Sequence, residues 1–124
     1  MAGTDSQMSN DVLTAFVDFL VESWRFSKVF AKMLEKLDAG QQQRYVGKYQ
    51  WYMKKMELDG AKAELKIVNV EGQIYDPGMA ATPLNLDEFA TAENLVVEQM
   101  VEPIIMGAEG IVRTGTVILR RVEA

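Results

Sequence analysis

The chain has 124 residues, of which 48% are hydrophobic, and a net charge of -5, which suits one domain, or one domain with a helical appendage. It has no cysteine and no histidine, so disulfides, thiolate or imidazole metal sites and histidine-dependent catalytic triads are excluded. The acidic charge argues against nucleic-acid binding, and the apolar runs are too short to span a bilayer. We therefore expect a cytoplasmic protein with no cofactor, no metal and no membrane partner.

The first element in the chain is predicted to be a long helix. Residues 1–9 are small and polar and are predicted to form a disordered tail, with Asn10 as the N-cap. Beyond it, apolar residues recur in steps of mostly three and four, namely Leu13, Phe16, Val17, Leu20, Trp24, Phe30, Leu34 and Leu37. Further apolar residues widen this zone, namely Val12, Phe19, Phe26, Val29 and Met33. One small domain is not expected to cover so much apolar surface.

A second helix is predicted from Gln41 to Leu58, after a helix stop at Asp38-Ala39-Gly40 and before an end at Gly60. Residues 10–60 would then form an αα-hairpin, and two hairpins would form a dimeric four-helix bundle. The predicted homodimer interface consists of Leu13, Phe16, Leu20, Trp24, Phe30, Leu34, Tyr45, Tyr49 and Met53.

Residues 61–124 change to strand periodicity and predict a small antiparallel β domain, which makes the fold class α+β. The first predicted elements are a strand over Leu65–Val70, a turn at Asp76-Pro77-Gly78, and an ordered loop over 79–93 with one helical turn near Leu86–Phe89. The segment Asn94–Met106 is predicted to form one strand, or two strands broken at Pro103. A hairpin loop at Gly107–Gly110 and a strand over Ile111–Val122 complete the domain.

Few residues could carry chemistry. The carboxylates of Asp87, Glu88, Glu93, Glu98 and Glu102 could be assembled into a metal or acid/base site, but their spacing favours a structural interpretation. The segment 71–109 holds acids and no Lys or Arg, which is typical of a solvated surface or of an acidic face that steers a basic partner. No catalytic residue is predicted, and an enzyme is the least favoured of the functional hypotheses.

The order of elements resembles the GrpE family of nucleotide exchange factors for Hsp70 chaperones. In that family a Gly-x-x-(Phe/Leu)-Asp-Pro turn precedes a strand pair, and here Gly72, Tyr75, Asp76 and Pro77 stand in that turn. The paired-strand segment ends in Ile105-Met106, and the late strand begins Ile111-Val112-Arg113. Met79-Ala80-Ala81 replaces the family's histidine motif, and the family's long N-terminal coiled coil is missing.

The resemblance implies a homodimer formed by the helices and a β domain that binds the Hsp70 ATPase domain and promotes ADP release. Carried over by position, the partner-binding residues are Gly60, Asp76, Pro77, Met106 and Arg113. The alternative is a dimeric protein-binding adaptor that kept the GrpE-like fold without exchange activity.

Overall fold

The computed structural model describes residues 2–91 and 93–122, with side chains from residue 9 onward. The fold is α+β, with two helices followed by two small sheets. The chain divides into two compact units, Met1–Asp59 and Gly60–Ala124, which we call the helical unit and the β unit.

The first helix, α1, spans Ala2–Glu35. It begins before the predicted N-cap at Asn10 and includes residues 2–9, over which the sequence analysis expected a disordered tail. That expectation for residues 1–9 stays a prediction, and Met1 lies outside the described residues. Small and polar residues without proline are compatible with a helix once a long apolar segment follows them, because propagation is easier than nucleation.

The turn between the helices starts α2 as well as ending α1. The second helix, α2, spans Ala39–Lys62, and the Asp38 Oδ1 atom accepts a hydrogen bond from the Gln41 backbone N–H at 2.9 Å. Asp38 is therefore the N-cap of α2. The side chain of Gln42 donates to the Leu37 carbonyl at 3.0 Å, which satisfies one of the last carbonyl groups beyond α1.

The end of α2 differs from the sequence prediction, because the helix continues through Gly60. The Leu65 N–H donates to the Gly60 carbonyl and the Glu64 N–H donates to the Ala61 carbonyl, both at 2.9 Å. This is the Schellman pattern of helix termination, and Glu64 occupies its left-handed position with φ of 59°. A glutamate, where glycine is usual, therefore ends the helix.

The β unit contains two three-stranded sheets. One has the order β1-β4-β5, from Lys66–Val68, Ile104–Gly107 and Gly110–Arg113, and is antiparallel. The other has the order β2-β6-β3, from Ala81–Pro83, Gly115–Arg121 and Leu95–Glu102. The β domain was predicted to be antiparallel, and this sheet is mixed because β2 runs parallel to β6. The helical turn predicted near Leu86–Phe89 is confirmed as a 3₁₀ turn at Leu86–Glu88.

Two breaks divide long stretches of chain between these sheets. Pro103, which cannot donate a ladder hydrogen bond, separates β3 from β4, as one of the two sequence alternatives expected. The predicted strand Ile111–Val122 is interrupted before Gly115. A Cβ atom at Gly115 would lie 2.7 Å from the Met100 Cε atom and 2.8 Å from the Glu102 carbonyl oxygen. Only glycine fits at this close approach, and the chain leaves one sheet for the other there.

Candidate protein-interaction surface

The buried side of α1 forms one helical stripe. Its members are Val17, Leu20, Val21, Trp24 and Ser27, which recur in steps of one and three, and Ser23 beside them is buried as well. The Ser27 hydroxyl donates to the Trp24 carbonyl, so the polar group in this stripe is satisfied. This is the side of α1 that a single chain covers.

The two helices pack against each other through aromatic residues. The rings of Phe30 and Tyr49 stack with centroids 6.2 Å apart and an interplanar angle of 16°. A groove of about 290 Å³ follows this seam, lined by Phe26, Ser27, Phe30, Lys48, Tyr49 and Tyr52. A smaller groove of about 90 Å³ lies between Phe19 and Leu20 of α1 and Tyr52 and Met56 of α2. The predicted αα-hairpin contacts are thus made within one chain.

This packing changes which residues could face a second copy. Leu20 and Trp24, which were predicted to lie in a homodimer interface, are 2% and 3% exposed in the single chain. In one chain they belong to the core and offer little surface to a partner, and their place in a dimer interface stays a prediction. Of the remaining predicted interface residues, Leu13 is exposed, and six are half-buried, namely Phe16, Phe30, Leu34, Tyr45, Tyr49 and Met53.

A different set of α1 residues carries the exposed apolar surface. Val12, Phe19, Phe26 and Met33 recur at every seventh residue and are 63%, 67%, 65% and 61% exposed. We call these four residues the heptad stripe. A seven-residue apolar repeat is typical of a helix that packs along another helix, since it keeps one face toward the partner. Phe19 and Phe26 also line the two grooves at the α2 seam.

A row of charged residues borders the heptad stripe on the flank opposite α2. At 100° per residue these positions lie beside the stripe, and all of them are exposed. We call them the charged row: Asp11, Asp18, Glu22, Arg25, Lys32 and Lys36. The first three are acidic and the last three are basic. The Arg25 Nη1 atom lies 3.1 Å from the Glu22 Oε1 atom, so an ion pair joins the acidic half of the row to the basic half.

The predicted partner-binding residues lie at separate places in the β unit. The Asp76 Oδ1 atom accepts from the Gly78 N–H at 3.0 Å, and its carbonyl accepts from the Met79 N–H at 2.9 Å, which closes a tight turn around Pro77. This turn follows Tyr75, whose N–H donates to the Leu95 carbonyl of β3. The Asp76-Pro77 turn is thus attached to the β2-β6-β3 sheet.

Met106 and Arg113 belong to the other sheet. Met106 pairs with Lys66 and with Ile111, and Arg113 pairs with Ile105. Both are half-buried. Gly60 is a buried residue near the end of α2. The strand register therefore brings Met106 and Arg113 onto one sheet, and it does not join them to the Asp76-Pro77 turn.

Sequence reasoning missed an apolar edge on that sheet. β5 is an edge strand, and its residues Ile111 and Val112 are 54% and 45% exposed, beside Met106. Edge strands with exposed apolar side chains favour contacts with other chains. The signal in the sequence was the pair of adjacent apolar residues, which breaks the alternation that a half-buried strand requires.

Three carboxylates of segment 71–109 accept hydrogen bonds from neighbouring side chains. The Glu93 Oε1 atom accepts from the Arg121 Nε atom at 2.7 Å, and this hydrogen bond lowers the pKa of the Glu93 carboxyl below its usual value. Glu102 accepts from the Thr116 hydroxyl at 2.9 Å, and Glu88 accepts from the Asn85 side chain at 3.1 Å. Among residues 2–91 and 93–122, no group of three or more acids is placed to hold a metal ion.

Comparisons of the chain with protein-family models, curated proteins and solved structures found no match. The resemblance to the GrpE family therefore stays a prediction. Within the described part of the chain, neither helix combines the length and the apolar character that crossing a membrane requires.

Proposed function

We propose that this protein is a non-enzymatic adaptor that binds other proteins and acts as a dimer through its helical hairpin. The observation that supports this function best is the heptad stripe, four large apolar residues that are each more than 60% exposed. The sequence has no histidine and no cysteine, which agrees with a binding function that makes and breaks no covalent bonds.

The size of the exposed surface supports association. A large side chain presents roughly 150–250 Å² when fully exposed, so four of them at about two-thirds exposure present on the order of 400 Å². The largest apolar patch on a typical monomer is of similar size, and such a patch often serves a function. A second helical hairpin packed on the stripe would cover it and would complete a four-helix bundle.

The oligomeric state tests this proposal. Light scattering at micromolar concentration is expected to give about twice the 13.9 kDa chain mass. The double variant Phe19→Asp/Phe26→Asp is expected to be a folded monomer, because both side chains are mainly exposed in one chain. Leu84→Asp, at a β-unit residue that is 60% exposed, is the matched control and should stay dimeric. A wild-type monomer at high concentration would overturn the proposal.

A second candidate function is chaperone binding by the β unit, with acceleration of ADP release from Hsp70. The observation that favours it is the apolar edge formed by Met106, Ile111 and Val112, next to Arg113. Such a surface can anchor a small interface. A hundredfold acceleration would require about 2.7 kcal/mol of preferential stabilisation of the release transition state.

Stopped-flow release of a fluorescent ADP analogue from the host's own Hsp70 tests this candidate. Ile111→Asp is the preferred variant, because Ile111 is more than half exposed and its replacement should leave the sheet intact. It should abolish acceleration, whereas Leu84→Asp should not. An unchanged release rate at saturating wild-type protein would rule out exchange activity and leave the adaptor function.

A further inference from the structure

The charged row changes sign in the middle of α1. Asp11, Asp18 and Glu22 precede Arg25, Lys32 and Lys36. The helix dipole favours acids in the first turn and bases in the last, but this effect fades within one turn of each end. Because α1 begins at Ala2 and ends at Glu35, the dipole does not explain the sign change between Glu22 and Arg25.

The Glu22–Arg25 ion pair lies at the sign change itself. It joins the last acid of the row to the first base, and an exposed pair of this kind contributes little to stability. The separation of three acids from three bases along one flank of an apolar stripe is a pattern that selects a helical partner and its direction.

We propose that the heptad stripe binds α1 of a second copy of this chain in antiparallel orientation, about a twofold axis that passes between Phe19 and Phe26. This rests on the proposed dimer and adds its geometry. A twofold axis perpendicular to two antiparallel helices places the same flank of both copies side by side and reverses their direction. Asp18 and Asp11 of one copy then lie on the same side as Arg25 and Lys32 of the other, while Glu22 lies near the axis.

The spacing of the residues agrees with this arrangement. When Phe19 stands opposite Phe26 of the second copy, position 18 stands opposite position 27. Arg25 of the second copy is then two residues away from the position opposite Asp18, which is an offset of about 3 Å along the helix axis. Asp11 stands opposite position 34 of the second copy, and Lys32 of that copy is likewise two residues away. In a parallel dimer each charged row would face the α2 flank of the other copy instead.

The arrangement also accommodates α2. Both α2 helices fall on the flank opposite the charged rows, where Phe26 and Phe19 meet Tyr52 in the grooves. A straight helix drifts by about 20° per heptad, so two stripes stay in contact along their length when the helices cross at a small angle, as in four-helix bundles. Glu22 lies nearest the axis, where its bond to Arg25 of the same helix offsets repulsion between the two copies.

The test uses two single variants of the full chain, Asp18→Lys and Arg25→Asp. In the antiparallel dimer each variant alone places like charges at two contacts, and its self-association should weaken about tenfold. Mixing the two variants should restore the contacts, because Lys at position 18 of one chain then meets Asp at position 25 of the other, and the natural Arg25 meets the natural Asp18.

Native mass spectrometry of the equimolar mixture at low salt measures the outcome. The heterodimer should predominate well above the fraction of about one half expected without preference, and the preference should fall at high salt. The matched control is Asp87→Lys mixed with Arg120→Asp, two exposed β-unit positions with the same changes of charge, which should mix without preference. Circular dichroism confirms that each variant keeps its helices.

The possible results separate the inference from the proposed function. A statistical mixture of dimers would overturn the antiparallel arrangement and leave the dimer standing. A wild-type chain that stays monomeric would overturn both. Preferential pairing of the charge variants together with monomeric Phe19→Asp/Phe26→Asp would support the arrangement at the stripe and at the row.

Discussion

Replacement of Phe26 by alanine should weaken dimerisation strongly while leaving the single chain folded. Phe26 is 65% exposed. From roughly 200 Å² for a fully exposed aromatic side chain, about 130 Å² remains for a partner to cover. At about 25 cal/mol per Å², full coverage contributes about 3 kcal/mol per copy, of which alanine would keep about a third. Two copies then lose about 4 kcal/mol, a roughly thousandfold rise in Kd, or about thirtyfold with half coverage.

Sedimentation velocity over a dilution series measures this Kd. Phe26→Leu, which keeps most of the apolar area, should weaken the dimer only slightly, and Leu84→Ala should leave Kd unchanged. The free energy of unfolding of the monomer should change little, because most of the ring is in solvent. If Kd of Phe26→Ala lies within threefold of the wild type, Phe26 is outside the interface and the heptad-stripe reasoning is wrong.

Three further predictions concern the β unit. Gly115→Ala should lower the free energy of unfolding by about 1–3 kcal/mol in urea denaturation, because the added methyl group would collide with Met100. Glu64→Gly should raise it by about 1 kcal/mol, because glycine adopts the left-handed conformation without strain, and an unchanged midpoint would contradict the assigned helix end. The Glu93–Arg121 bond should stabilise the fold above the unfolded-state carboxyl pKa, and this contribution is lost as pH falls through the lowered folded-state pKa. In an NMR titration Arg121→Gln should therefore raise the pKa of Glu93.

The helices and most strands could be predicted because their signals are local. Helical spacing of apolar residues marked α1 and α2, and the hairpin loop at Gly107–Gly110 followed from glycines at both ends of a short turn. The end of α2 could not be located by the same rules, because Glu64 adopts a conformation that sequence patterns assign to Gly60. The parallel pairing of Ala81–Pro83 with β6 was missed because a three-residue strand has no periodicity to read.

The exposed apolar surface of α1 was only partly predictable for a different reason. Phe19 and Leu20 are adjacent apolar residues, and sequence alone gives them equal standing. Their exposed fractions differ because one side of α1 is covered within the chain. Phe19 is 67% exposed, whereas Leu20 is 2% exposed. Periodicity found that α1 is apolar over more than one stripe, but the choice of the stripe that a partner could use required the three-dimensional packing.

The breaks at Pro103 and Gly115 have a consequence for how the β unit assembles. Because Glu102 pairs with Thr116 and Ile105 pairs with Arg113, the stretches 95–107 and 110–121 form one long ribbon that bends where it passes between the sheets. The ribbon closes from its tight turn at Ala108 and Glu109, so most of its pairs form by successive short loop closures. β1 and β2 then add to its two halves from distant parts of the chain. Residues inserted at that turn would therefore slow the formation of both sheets. The same insertion at the exposed turn around Pro77 would leave the rate of ribbon formation unchanged.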